Sequence, residues 1–373
     1  MASITNHTIP TLANAANDQE PKLTLHTLTL PKPFGQEHAC AVSYTRMIAD
    51  LAANDLPLSM KMAAHLSSAW ALRLMHSGKS AYSLFAQAET MGSLFASMNE
   101  MDLTGSAIGE TESITATPTA EGFLLSGVRE RVLMDQNVLF MPTCGRMIGT
   151  DGSVSYIFAI VPSRQHGVKL TLHAGLDSDR HAGIAAIESY RVQLDDVFVP
   201  ESELVIFTQQ DTAELERFSL LRQLSISAIY LGIAQSALTI ACDSAKASRV
   251  PQWGLPLSRF PGTQFLVADA SILLEACDSQ LYTFGSLVNE LLSGGTSDRR
   301  LAADTGRVTM EFIISRTNQI LNYAMKIAGI SSIRADHPLA LLYGTLRSSS
   351  FDMQQMDSDG SRERIAKSVL GEL

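Results

Sequence analysis

The chain is poor in cysteine. Of its 373 residues only Cys40, Cys144, Cys242 and Cys277 are cysteines, and they stand far apart with no CxxC pair. That spacing excludes a disulfide framework and a zinc knuckle, and leaves reduced thiols in a cytoplasmic protein as the expectation. Sequence punctuation for nucleotide phosphates is missing as well. There is no GxxxxGK[ST], since Arg73 stands where Gly78-Lys79-Ser80 would need a glycine, and no GxGxxG follows a strand. HExxH and GxSxG are absent, and the nine histidines are scattered, so no metal site is expected. The N-terminal stretch lacks a basic segment followed by an apolar run, and no secretion signal is read there. The longest weakly charged run, Leu224 to Ala241, is interrupted by serines, Gln235 and Thr239, so a buried bundle helix explains it better than a membrane span.

What remains is an ordinary globular composition, 46% hydrophobic and 18% charged, with a formal net charge of -10. Such a chain buries a sizeable core, and its acidity argues against nucleic acid or an anionic membrane as partner. Three textures follow one another. Residues 1–93 form a helical region, irregular over 1–37, in which Met47, Leu51, Leu58, Met62 and Leu66 recur at helical intervals. Residues 94–207 carry short apolar runs cut by Gly, Pro, Asp and Thr, the signature of strands and turns. Residues 208–373 return to a helical period. Candidate helices run over Arg217–Ala245, Thr263–Leu292 and Asp304–Ala328, with Gly329 as a stop. Long helices with short connections point to an antiparallel bundle.

Several ordered segments resemble the acyl-CoA dehydrogenase superfamily. Gly122-Phe123-Leu124-Leu125-Ser126-Gly127 is similar to its "GYxLNG", and Leu194-Asp195-Asp196-Val197-Phe198-Val199-Pro200 to its "LDDVxVP". Leu231-Gly232-Ile233-Ala234-Gln235 resembles "GIAQ". Arg249 to Gly254 with Gln264 resembles "RxxFG…Q", and Ala324 to Leu346 follows the "AxQIxGG…" stretch. The resemblance implies an α+β fold: a shortened N-terminal helical domain, a central β-barrel or sandwich domain and a C-terminal four-helix bundle. It also implies FAD, with FMN as the alternative, held between the β domain and the bundle of a homodimer or homotetramer.

By the same resemblance Arg249 meets the pyrophosphate, Trp253 gives aromatic support, and Gln264, Lys326 and Gly329 meet the adenine end across a subunit interface. The loop matching "TEPxxGSD" brings Met98, Asn99, Thr104 and Ser106 to the ring edge. The segment Arg131-Val132-Leu133-Met134 replaces the family's "W/F-I-T-N", so Leu133 stands where a threonine is expected and the shielding aromatic is gone. The family's catalytic glutamate is missing too. Counting from Pro338 puts Met353 in its place, and counting back from Arg362 puts Gln355 there, with Asp352 one residue away. The alternative glutamate position on the first bundle helix falls on Arg222, with Glu216 almost two turns distant.

A related branch of the superfamily has lost that base and uses reduced flavin to activate oxygen. In that branch an active-site histidine stands at the position of His65. The expectation is therefore a flavin-dependent oxidase or monooxygenase acting on a CoA thioester or aromatic intermediate. Two alternatives stand beside it: a dehydrogenase with a relocated base at Asp352 or Glu216, and a flavin-free subunit of a hetero-oligomer.

Overall fold

In this computed structural model, residues 25–35, 40–75, 81–99, 114–150, 152–172, 189–208, 213–295, 298–353 and 359–371 are described. Three helices come first: α1 (Ala41–Asn54), α2 (Leu56–Leu74) and α3 (Tyr82–Met91). The start of α2 is set by local chemistry. Asp55 accepts a hydrogen bond from the Leu58 N–H at 3.0 Å, and Pro57 occupies the first turn, where its missing N–H costs nothing. Gly92 ends α3 in the left-handed conformation. Ahead of these helices, Leu25–Gly35 is an ordered strap, with Leu30 and Thr29 fully buried and the Thr29 hydroxyl donating to Leu66 O at 2.8 Å.

Strands β1 (Leu94–Phe95), β2 (Thr115–Pro118), β3 (Gly122–Leu133), β4 (Val138–Ile148), β5 (Val154–Pro162), β6 (Val168–Leu172), β7 (Ser189–Pro200) and β8 (Leu204–Thr208) follow. They form one sheet in the order β6-β7-β3-β2-β4-β5-β8, and β1 pairs with β4 in parallel. Two of the segments singled out in the sequence turn out to be register partners. Gly122 faces Pro200, Phe123 faces Val199 and Leu125 faces Val197. A side chain at Gly122 would collide with Val199 O, since its Cβ would lie 2.2 Å away.

The doubled aspartate of β7 has a physical cause. Leu194 and Val197 are both buried although three residues apart, which period-two alternation forbids unless a residue is inserted. The insertion falls at Asp195-Asp196, opposite the register shift between Leu125 and Gly127. Asp196 adopts φ 51°, and its carboxylate meets the Ser126 hydroxyl at 2.7 Å.

Helices α4 (Ala213–Ala247), α5 (Pro261–Leu292) and α6 (Arg299–Ala328) run antiparallel, with α7 (Pro338–Met353) and α8 (Asp359–Leu370) after them. α4 passes a length-and-composition test for crossing a membrane, but it packs against α1, α2, α5 and α6 and most of its apolar window is buried. α1 crosses α4 at Gly232, where a Cβ would stand 2.2 Å from Ala49 O and 2.7 Å from Ala52 Cβ. The first helices, the sheet and the bundle share one hydrophobic core.

Candidate functional site

The antiparallel course of α4, α5 and α6 brings three termini to one end of the bundle. Ala234, Ala270 and Ile320 pack together at matching heights, so the C-terminus of α4, the N-terminus of α5 and the C-terminus of α6 are neighbours. The α4–α5 connection there is a small hairpin of β9 (Arg249–Val250) and β10 (Leu255–Pro256). Arg249 donates one of its five N–H groups to Gly254 O at 2.9 Å, which stiffens the turn and leaves the guanidinium at the surface. Trp253 is 62% exposed and leans on Phe260 with ring centroids 5.2 Å apart. Gln264 donates to Ser258 O at 3.1 Å, and Lys326 lies over the Tyr323 ring at 5.8 Å. Gly329 ends α6 at φ 70°. The Ser331 and Ser332 hydroxyls cap the same helix end, bonding Ala328 O and Gly329 O. The structure therefore places Arg249, Trp253, Gln264, Lys326 and Gly329 at one end of the bundle.

The other group of predicted residues lies at the sheet, beside β1 and β4. Met98 is half-buried against the core, and Leu133, the last residue of β3, is half-buried. Asn99 is committed inward: its amide nitrogen donates to Cys144 O and its amide oxygen accepts from Cys144 N–H, both at 2.8 Å. These two bonds tie Asn99 to β4, and because an amide carries two N–H groups and two oxygen lone pairs they leave it capacity for a further partner. Buried Arg129 supports the same segment by donating to Ser97 O. Thr104, Ser106 and Gln355 lie outside the described residues. Asp352 falls within the last turn of α7, and its side chain is likewise outside them.

His65 is a correction. It is fully buried, its Nδ1 accepts from Phe95 N–H at 3.1 Å, and its Nε2 sits 2.7 Å from His26 O. With Nδ1 accepting from a backbone donor, the proton must be on Nε2. Burial pushes the ring down to about 4, against a partial upward effect of the His26 carbonyl. A ring with both nitrogens engaged and the charged form excluded does not act as an acid or base at neutral pH.

The alternative base position fares no better. Arg222 is half-buried on α4, and Glu216 lies in the field of Arg307 on α6. Among the described residues no His/Cys/Asp/Glu group could hold a metal ion. Burial pushes the Cys144 thiol far up and the Cys277 thiol up to about 12, so both are inert.

Residues 224–340 match the family description "Acyl-CoA dehydrogenase, C-terminal domain". The butyryl-CoA dehydrogenase of Megasphaera elsdenii superposes with a TM-score of 0.77 at 15% identity, over 93% of this chain and 87% of that one. This chain has the acyl-CoA dehydrogenase fold. A second structure of that fold, XiaF from Streptomyces sp. in complex with FADH2 and glycerol, gives a TM-score of 0.76 at 16% identity, over 93% of this chain and 85% of its own. A curated relative, the 3-sulfinopropanoyl-CoA desulfinase of Paraburkholderia xenovorans (strain LB400), is 25% identical over 280 residues, 71% of this chain and 68% of its own length.

Within the acyl-CoA dehydrogenase fold the residues present fit a flavin dinucleotide unevenly. The bundle end offers an arginine, an exposed indole, an amide and a lysine, which suit a pyrophosphate and an aromatic base. The sheet side, among the described residues, has Asn99 turned inward and Leu133 without a polar atom. On the bundle side Arg249, Trp253 and Gln264 lie within 16 residues of one another, whereas Lys326 is brought near them only by the antiparallel course of the helices. On the sheet side, the bond of Asn99 to Cys144, 45 positions away, could not be read from the sequence.

Proposed function

We propose that the chain is a flavin-dependent oxidoreductase that transforms a CoA thioester or aromatic small molecule without abstracting an α-proton through a glutamate, in the manner of an oxidase or monooxygenase. The observation that carries this reading is the residue type at the base position, Met353 by the count from Pro338 or Gln355 by the count from Arg362, with Arg222 at the alternative position on α4. A carboxylate base is absent from both, so proton removal α to a thioester has no acceptor there. A bound flavin supplies hydride acceptance or, when reduced, oxygen activation.

The chain's own contribution is binding and orientation. Arg249 meets the pyrophosphate, Trp253 and Gln264 flank the adenine end, and Lys326 adds a positive charge. Supporting the reading are the FADH2 complex of one structural neighbour and the CoA thioester named in the curated relative. A second copy of the chain covers the bundle end, where Phe265 in the first turns of α5 (69% exposed) and Ile330 just after α6 (86% exposed) are open to solvent.

The test is the absorption spectrum of the purified chain between about 350 and 500 nm, alone and with added FAD or FMN. The proposal expects a flavin band in the protein fraction, and oxygen uptake on reduction with no separate electron acceptor. A chain that stays colourless at high micromolar FAD sinks it and leaves the flavin-free subunit. Substrate-dependent bleaching without oxygen, abolished by Asp352→Asn or Glu216→Gln, replaces it with a dehydrogenase.

A further inference from the structure

His65 joins three elements that are otherwise separate in the chain. It projects from α2, receives the N–H of Phe95 in β1, and donates to the carbonyl of His26 in the Leu25–Gly35 strap. Its ring stacks on Phe95 at 5.6 Å with an interplanar angle of 12°. We propose that His65 is an acid-release latch, whose protonation frees β1 and the N-terminal strap from α2 together. The chemistry lies in hydrogen-bond polarity. A proton added at Nδ1 converts the acceptor for Phe95 N–H into a donor, so two N–H groups face one another and the backbone donor loses its partner. The resulting imidazolium is then held in an apolar pocket.

The groups around the ring offer it no counter-charge among the described residues. His26 is the nearest titratable neighbour, and its own buried Nε2 has no hydrogen-bond partner. Lys61, one turn back on α2, is paired with Asp135 at 2.6 Å, and Arg73, two turns on, reaches Leu30 O. β1 and α3 contribute the apolar rings Phe95 and Phe85. Three further ties of the strap do not titrate in the acid range: the Thr29 hydroxyl on Leu66 O, the Tyr82 hydroxyl on Lys32 O at 2.8 Å, and the Phe34–Tyr82 edge contact.

Hydrogen exchange followed peptide by peptide against pH, corrected for intrinsic rate, tests the latch. A ring that stays neutral to about 4 in place, against an ordinary 6.5, links one proton to opening. Opening of residues 25–35 and of the β1 segment should therefore rise in step by about 30-fold between pH 7.5 and pH 5. His65→Asn keeps an acceptor near Phe95 N–H but cannot titrate, so its exchange should be independent of pH over that range. His26→Gln leaves the His26 carbonyl in place and should behave as the parent chain does.

Should His65→Asn fail to fold, the His65 ring signal in a proton NMR titration of the parent chain serves instead, and it should change only as the strap opens. Strap protection that persists unchanged to pH 5, opening of the strap without β1, or a His65 ring that titrates near 6.5 with both segments still closed would each overturn the proposal.

Discussion

Replacing Gly232 with alanine tests the packing argument most directly. A Cβ at that position would lie 2.2 Å from Ala49 O and 2.7 Å from Ala52 Cβ, and both belong to α1. The first is a backbone atom in the middle of a helix, so no rotamer change relieves the clash. A carbon and a carbonyl oxygen need a little over about 3 Å, so α1 and α4 must part by about 1 Å at their crossing. A gap of that size forfeits roughly a quarter to a half of the dispersion attraction of each contact there. Overpacking against a rigid neighbour costs about 1–3 kcal/mol and occasionally more. With a backbone atom in the way the cost sits at the upper end of that range, about 3 kcal/mol; alanine's better helix propensity returns about 1 kcal/mol, so the net is a loss of about 2 kcal/mol.

Gly285 on α5 supplies the internal control. Its added Cβ would meet Val42 Cγ2 at 3.4 Å, an ordinary contact, so there the propensity gain stands alone. At about 2.1 cal/mol/K per residue of unfolding entropy, 1 kcal/mol in a chain of 373 residues corresponds to about 1.3 °C. Scanning calorimetry should then show Gly232→Ala melting about 2–3 °C lower, and Gly285→Ala about 1 °C higher. Shifts of the same sign in both variants would refute the reasoning.

Neutral His65 makes global stability pH-dependent. Its folded value of about 4 lies below the ordinary 6.5, so its contribution is fully present above about pH 6.5 and is lost as pH falls towards 4. The difference is on the order of 3 kcal/mol at 1.36 kcal/mol per pH unit. Urea titrations at pH 7.5 and pH 4.5 should therefore differ in midpoint, and the difference should shrink in His65→Asn. Asn99→Ala strands the Cys144 N–H and C=O, each buried, at about 1–3 kcal/mol per group. Chemical denaturation should report the loss at protein concentrations where flavin is absent, which separates a strut from a ligand contact. Tyr44→Phe removes a 2.6 Å bond to Ser225, whose hydroxyl still reaches Leu221 O, so it should cost only about 1 kcal/mol in the same assay.

Much of the fold was legible in the residues. The change of period marked where helices give way to strands, and the helix ends fell close to Gly92, Asp298 and Gly329, whose capping roles are local. The helix start carrying Gln264 was legible for the same reason, whereas the β9–β10 hairpin that holds Arg249 and Trp253 emerged only in the structure. Tertiary structure alone decided three things. It tied Asn99 to β4, and it locked His65 between a strap and a strand. It also made Gly232 the crossing point of α1 and α4. Each depends on an atom distant in sequence, Cys144, His26 or Ala49, and residue type alone does not say which neighbour a side chain will meet.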